Sequence, residues 1–275
     1  MTSAVIHADI DHVGIAGRNM DELLRAYRRL GFKTTRPEPL MGVDAAGGAV
    51  PLGQVSAHFM FEDSYVELSA VTGEKPDNHL EPYLARYEGL HILALAARDA
   101  SKAHDRLAAA GLTPGPVQGA TRDIRYGKSG RARFSWFGFA PGAFPEAFVC
   151  VVEQCTPEVV FQGELTGHPN GAVDLLGVYM VARDHAAAMA RYRPFEDSSA
   201  HRFIDVMDTQ EAVRRFPDMA VPAGGDCLIG MKISVRDLGV LKRCLAEASV
   251  PYVEQAGEIL VSSSEAGGSI IIFSE

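Results

Sequence analysis

The chain has 275 residues, a formal net charge of −9, 47% hydrophobic residues and 22% charged residues. That length can bury a large core and admits two domains. The acidic balance excludes a nucleic-acid protein, which needs a basic face for phosphate. No apolar run is long enough to span a membrane. The opening Met1-Thr2-Ser3-Ala4-Val5-Ile6-His7 lacks the basic and apolar regions of a secretory signal. Cys150, Cys155, Cys227 and Cys244 show no CxxC pairing, so a cytoplasmic setting is expected, with Cys150 and Cys155 read as buried thiols rather than a disulfide.

One pattern recurs four times. It reads Ile10-Asp11-His12-Val13-Gly14-Ile15-Ala16-Gly17-Arg18-Asn19, then Leu90-His91-Ile92-Leu93-Ala94-Leu95-Ala96-Ala97-Arg98-Asp99. It returns over Leu175–Asp184 and Leu228–Asp237. Each copy is an apolar run closed by Arg-Asn or Arg-Asp, and each opens into a helix-like segment, which is the signature of a repeated supersecondary unit. In the first unit residues 10–16 predict a strand. Asn19 predicts the cap of a helix over 20–30, with Leu23, Leu24, Tyr27 and Leu30 on one face, and Gly31 its stop. Strands are expected from Phe32 to Thr35, Val55 to Phe61 and Tyr65 to Val71, with a Pro/Gly-rich loop from Pro37 to Gly53. The second unit repeats the order from Leu90 to about Glu153. Its helix is capped by Asp99, a basic loop runs from Arg122 to Arg133, and strands are expected at 134–139 and 148–153. The third unit starts at Val173 and is irregular, with 202–207 as its best later strand. The fourth starts at Cys227 and ends in a strand over 269–273. Gly167-His168-Pro169-Asn170-Gly171 has turn chemistry and marks the boundary, giving an N-terminal domain 1–166 and a C-terminal domain 167–275.

Four β-α-β-β-β units, with Asp11-His12, Tyr65-Val66-Glu67-Leu68, Val152-Glu153-Gln154-Cys155-Thr156-Pro157-Glu158 and His168-Pro169-Asn170-Gly171, resemble the vicinal oxygen chelate superfamily. That group includes glyoxalase I, extradiol ring-cleaving dioxygenases, epimerases and antibiotic-binding resistance proteins. The resemblance covers nearly the whole chain and implies an α+β fold of two cupped-sheet domains, each built from two βαβββ modules. It also implies a divalent metal (Fe, Mn, Ni or Zn) in the cup of the N-terminal pair. Carried over residue by residue, it offers His12 and Glu67 from the first unit, and His91 and Glu153 from the second, as ligands. Glu67, Glu153 and His58 are then the acid–base candidates.

The residues qualify this set. His12 lies seven positions before its helix cap, whereas the residue seven before Asp99 is Ile92. Matching the bulky Val13 and Ile15 with Leu93 and Leu95 turns His91 to the other face of its strand, because a one-residue slip reverses the side chain. A bulge before Arg98 would restore it, so both readings of His91 stand. Gln154 departs from the histidine often found at that place in relatives. Glu153 also reads as a strand-end residue facing solvent, and His58 as a hydrogen-bonded structural histidine. The basic loop offers either an anion site or a solvated surface. Trp136, Phe137 and Phe139 suit a pocket or the core; His104, His168 and His185 read as structural. The second pair carries Leu176 or Gly177, and Ile229 or Gly230, in place of histidine, and reads as a structural partner or lid. Three functions follow: a metal-dependent lyase or isomerase that chelates vicinal oxygens and moves a proton, an Fe(II) ring-cleaving dioxygenase, or a metal-free protein that sequesters a small molecule. The expected partner is a small molecule, with no nucleic acid or membrane and with a homodimer left open.

Overall fold

All four copies of the repeat become the same device, a strand followed by a capped helix. In the computed structural model, which describes residues 4–43, 48–73, 78–140, 142–217 and 225–275, a short β1 (Ala4–His7) precedes the first of them. β2 (Ile10–Gly17) then runs into α1 (Met20–Arg29), where the Asn19 side chain accepts from the Asp21 and Glu22 amides. The acidic start and the basic last turn of α1 oppose its dipole correctly. Asp99, Asp184 and Asp237 cap the equivalent helices by accepting amides in their first turns. The Asn or Asp that closes each repeat is thus explained by the orphan N–H groups of a helix start.

The first unit continues with β3 (Glu38–Val43), β4 (Ala49–Met60) and β5 (Tyr65–Val71). The one-turn α2 (Glu81–Leu84) leads to the second unit, β6 (Gly89–Ala96), α3 (Ala100–Ala109), β7 (Gln118–Ile124), β8 (Gly130–Gly138) and β9 (Phe148–Gln154), followed by the one-turn α4 (Pro157–Val160). These eight long strands close into a barrel in the order β2-β5-β4-β3-β7-β8-β9-β6. Each unit contributes half, and the halves join by antiparallel pairs β2–β6 and β3–β7. Leu80, Leu84 and Val71 pack at one end of the barrel, and Val160, Leu165 and Ile124 at the other.

The remaining chain forms β10 (Ala172–Val181), α5 (His185–Tyr192), β11 (Phe203–Met207), α6 (Thr209–Arg215), β12 (Cys227–Val235), α7 (Leu238–Glu247), β13 (Val253–Gln255), β14 (Glu258–Val261) and β15 (Ile270–Ser274). The second sheet has the order β1-β11-β10-β12-β15-β14-β13. It repeats the barrel's central pattern, with β10–β12 antiparallel and each flanked by a parallel partner. Among the described residues the irregular third unit supplies a single later strand, β11, and β1 pairs along its other side. Residues 4–7 therefore belong to the second sheet, on the far side of the sequence boundary at 166/167. One face of this sheet is covered by its own chain: Ala212 of α6 and Phe216 pack on Tyr179, Ile229 and Ile272. A single core runs continuously from α1 and the barrel into the second sheet.

Three expectations need correcting. Residues 32–35 form no strand. Phe32 instead drops into the core, stacked on Phe59 at 4.1 Å, and Pro37, which cannot donate to a ladder, follows. The stretch read as a loop from Pro37 to Gly53 holds β3 and the start of β4, and residues 44–47 lie outside the described residues. The basic loop is a hairpin, β7 with β8, in which Asp123 faces Arg131 across the ladder. The turn at 167–171 is tied down rather than free. His168 accepts the Lys33 amide at 3.1 Å and donates to the Met60 carbonyl at 3.0 Å, while Asn170 donates to Leu30 O at 2.8 Å.

Candidate functional site

The alternation of side chains along a strand decides which residues reach the barrel interior. On β2 these are His12, Gly14 and Ala16; on β5, Tyr65, Glu67 and Ser69. His12 pairs with Tyr65 on one side and Ala94 on the other, and Gly14 pairs with Glu67 and Ile92. Gly14 must be small, because a Cβ there would lie 2.6 Å from Ile92 Cδ1.

His12 and Glu67 come together. His12 Nδ1–H donates to Asp11 at 2.5 Å, the Tyr65 ring stacks on the imidazole at 4.3 Å, and Nε2 faces Glu67 Oε2 at 3.9 Å. An irregularity in the β2–β6 register between Ile10 and His12 lets Asp11 reach sideways onto its neighbour. The Gln154 amide donates to both Asp11 oxygens at 3.1 Å, leaving its own Oε1 buried without a hydrogen-bond partner. Glu67 Oε1 accepts the Ser56 hydroxyl at 2.7 Å, and Ser69, Gln54 and Asn78 extend that polar ladder. Both side chains are thereby oriented, each with one atom held and the other presented to a cavity inside the barrel. Leu40, Leu52, Ile92, Phe134, Trp136 and Phe148 give that cavity an apolar lining, as expected for a small-molecule site.

The other sequence candidates fall elsewhere. His91 is fully buried on the opposite face of β6, where its Nε2–H donates to Tyr87 O at 2.7 Å. The alternation that seats Ile92 in the cup turns His91 out of it. Glu153 also faces away, and its Oε2 accepts the Ala100 amide at 2.8 Å at the start of α3, so it serves the helix terminus. His58 lies inside the barrel, but it accepts a hydrogen bond from Arg122 Nη1. Burial, then Arg122 and then His12 hold its pKa well below the ordinary value. It stays neutral with a lone pair committed, which suits a buried acceptor better than an acid.

Strand pairing also identifies the symmetry mates. Because His12 pairs with Ala94 while Gly14 pairs with Ile92, the local two-fold carries His12 onto Ile92. Tyr65 and Glu67, beside His12 and Gly14 on β5, correspond to Phe148 and Cys150, beside Ile92 and Ala94 on β9. The positions that mirror His12 and Glu67 across the barrel are therefore Ile92 and Cys150, not the His91 and Glu153 that the resemblance implied as ligands. Burial, with Asp11 and Glu67 adding to it, raises the Cys150 pKa far above its usual value, so it is a neutral thiol. No group of three or more His, Cys, Asp or Glu side chains among the described residues is placed to hold a metal ion. Zinc and related transition-metal sites draw on three or more such ligands, so the donor set does not fit a resident ion of that kind.

The sequence reading passed over Tyr65 as the platform for His12, Ser56 as the anchor of Glu67, and the inward aim of Arg122. The alternation Ala120, Arg122, Ile124 before the Gly127/Gly130 turn was the available signal for Arg122.

Burial of the displaced histidines carries a stability consequence. Burial lowers the pKa of His91 and of His168 to about 4. A base whose pKa is depressed on folding gives its full stability above the unfolded value near 6.5 and loses it progressively as pH falls toward about 4. Each is expected to cost about 2 kcal/mol at pH 5 relative to pH 7.5. Asp9 and Glu146, raised by burial, titrate in the opposite sense. Urea midpoints of His91→Gln and the parent at both pH values isolate the histidine, and the acid loss should shrink by about 2 kcal/mol. An unchanged loss would contradict the assignment.

Residues 10–195 match the model of a family described as a glyoxalase-like domain. No curated protein matches the chain in sequence. Among solved structures, a hypothetical protein from Staphylococcus aureus superposes with a TM-score of 0.64 at 8% identity, covering 98% of this chain and 99% of that one. A mutant of 4-hydroxymandelate synthase from Streptomyces coelicolor gives 0.59 at 13% identity over 98% and 92% of the two chains. A xylose isomerase-like TIM barrel/4-hydroxyphenylpyruvate dioxygenase fusion protein gives 0.57 at 13% identity, with all of this chain covering 50% of that one. At such identities these likenesses establish the fold alone.

Proposed function

The chain belongs to the glyoxalase-like domain family of the vicinal oxygen chelate superfamily, and from that premise we propose that it is a lyase or isomerase that moves a proton on a small oxygenated metabolite held inside the barrel. The observation that carries this reading is the oriented pair of His12 Nε2 and Glu67 Oε2, 3.9 Å apart at the wall of an apolar cavity. That gap is too long for a direct hydrogen bond and leaves room for a substrate hydrogen or a water to bridge. Asp11 keeps the Nδ1 proton on His12, so its Nε2 is the atom offered to substrate, an arrangement that fixes the tautomer of a catalytic imidazole. Ser56 fixes Glu67 in the same way. Glu67, as the carboxylate, takes a proton from the carbon beside the substrate oxygen, and the carboxylic acid so formed returns that same proton to the neighbouring atom, while His12 Nε2 accepts the hydrogen bond of the substrate hydroxyl.

The apolar walls raise the strength of these charges by excluding water. The metal-dependent form of this chemistry would require donors where Ile92 and Cys150 stand, and the proton transfer proposed here uses none. A metal-free sequestering protein is the second reading, favoured by Ile92 and Cys150 themselves. The test is proton NMR of small hydroxy-ketones and oxo-aldehydes in D2O with the purified protein. Catalysed exchange of C–H for C–D, lost in Glu67→Gln, is the expected result. Saturable binding with no exchange of any compound would overturn the enzyme reading in favour of sequestration.

A further inference from the structure

The barrel interior holds a second charge that the proton transfer does not use. Arg122 on β7 is 5% exposed and lines both the apolar cavity and a polar one that also borders His58 and Ser56. The side chains it touches are neutral. Nη1 meets the uncharged His58 imidazole, and the guanidinium lies between the Tyr65 and Phe134 rings, 5.6 and 5.5 Å from their centroids. Nη2 is buried with no hydrogen-bond partner. No carboxylate of the described residues pairs with Arg122. Glu38 and Asp123, which border the polar cavity, are matched to Arg125 and Arg131, and Glu67, which shares the apolar cavity, is held by the Ser56 hydroxyl.

A buried guanidinium without an anion is unfavourable, and arginine cannot relieve this by losing its proton. Folding tolerates such a group where an anion from outside completes it. The geometry of the free donors selects the anion. A planar fork between two aromatic faces suits a planar carboxylate taken edge-on. A phosphate would call for additional cations or amides around it. The rest of the cavity wall is aromatic and aliphatic, so the remainder of the ligand is apolar.

We propose that Arg122 is the carboxylate anchor of the barrel, and that its ligand is a small carboxylic acid with an apolar body. The inference shares the cavity with the proposed proton transfer but does not depend on that chemistry. Glu67 then has a second consequence: its negative charge disfavours the opposite orientation of the ligand, so the carboxylate end is assigned to Arg122 and the uncharged end to the His12–Glu67 side.

Trp136 lines this cavity and is the chain's single tryptophan, so its fluorescence reports occupancy directly. The parent, Arg122→Met and Glu67→Gln are titrated with phenylacetate, with its neutral isostere phenylacetamide, with isobutyrate and with inorganic phosphate. Saturable binding of at least one carboxylate to the parent and to Glu67→Gln, weakened about tenfold or more in Arg122→Met, is the expected result, with phenylacetamide indifferent to the substitution. The melting temperature gives an independent readout. The carboxylate should raise it in the parent and not in Arg122→Met, and the unliganded variant should be no less stable than the parent. Equal binding of acid and amide, tighter binding of phosphate than of either acid, no binding of any acid, or destabilisation of the unliganded variant each overturns the assignment. Carboxylate binding without catalysed exchange would count against the proton-transfer reading alone, and exchange without carboxylate binding against this one alone.

Discussion

Glu67→Gln is expected to reduce catalysed proton exchange by about 10²–10⁴-fold without loss of fold. Glu67 is 6% exposed and its Oε1 is fixed by the Ser56 hydroxyl at 2.7 Å. A glutamine has the same shape and keeps an oxygen for that hydroxyl, so the ladder through Ser69 and Gln54 survives. Only the capacity to hold a proton is removed. Stability should be unchanged or slightly higher, because a buried carboxylate is costly. His12→Gln should lose a comparable factor. The double variant should fall little below either single variant, since groups that act as a unit are not additive. Asp11→Asn tests the orientation separately. Its amide can donate where the carboxylate only accepted, and the His12 tautomer then reverses and withdraws the Nε2 lone pair. Rates by NMR exchange and stability by urea unfolding decide the matter. A Glu67→Gln protein that keeps the parent's rate would remove Glu67 from the chemistry.

Much of this site was legible because strand periodicity is strict. His12 and Glu67 stood at inward positions in runs whose alternation was readable, and the bulk pattern that matched Ile92 with His12 agrees with the pairing of Gly14 and Ile92. The caps of the four repeats, Asn19 and three aspartates, were legible for a similar reason, since an Asn or Asp after an apolar run has a local partner in the helix that follows. What failed was information carried by distant partners. Glu153 was reached by motif likeness on the last strand, whereas the pairing of β9 with β6 puts Cys150 at the position that mirrors Glu67. Arg122 was hidden among charges that do face solvent, because a hairpin whose outward side is charged looks like a loop. Phe32 resembled a strand start because its hydrophobic demand is met by Phe59, a contact that no local pattern encodes. The N-terminal β1 completes a sheet nearly two hundred residues away in sequence, at β11, and nothing within four residues could announce that.

The mirror positions make a quantitative claim about metal. If Ile92 and Cys150 are the places where donors are missing, then Ile92→His with Cys150→Glu should create a divalent-metal site together with His12 and Glu67. All four residues line the same cavity, and the floor between them is small, Gly14 pairing with Ile92 and Ala94 with His12 across β2 and β6. With an imidazole at 92 and a carboxylate in place of the Cys150 thiol, the cavity would present two histidines and two carboxylates, a set that suits Zn, Ni or Co. Affinity for Co(II) or Zn(II) should rise about 100-fold or more over the parent, close to 2.7 kcal/mol, with the visible spectrum of the cobalt form reporting coordination. Each single substitution should give an intermediate gain. His91→Ala in the double variant should leave metal affinity unchanged, because that imidazole donates to Tyr87 O behind the sheet; Glu153→Gln should do the same, because that carboxylate serves the start of α3. Loss of metal on removing His91 would mean that the strand carries a bulge in solution and that the register drawn here is one residue out. Retention of metal without either residue would locate the divergence of this chain from its metal-holding architecture at two side chains, with the orienting shell of Asp11, Tyr65 and Ser56 still in place around the half that remains.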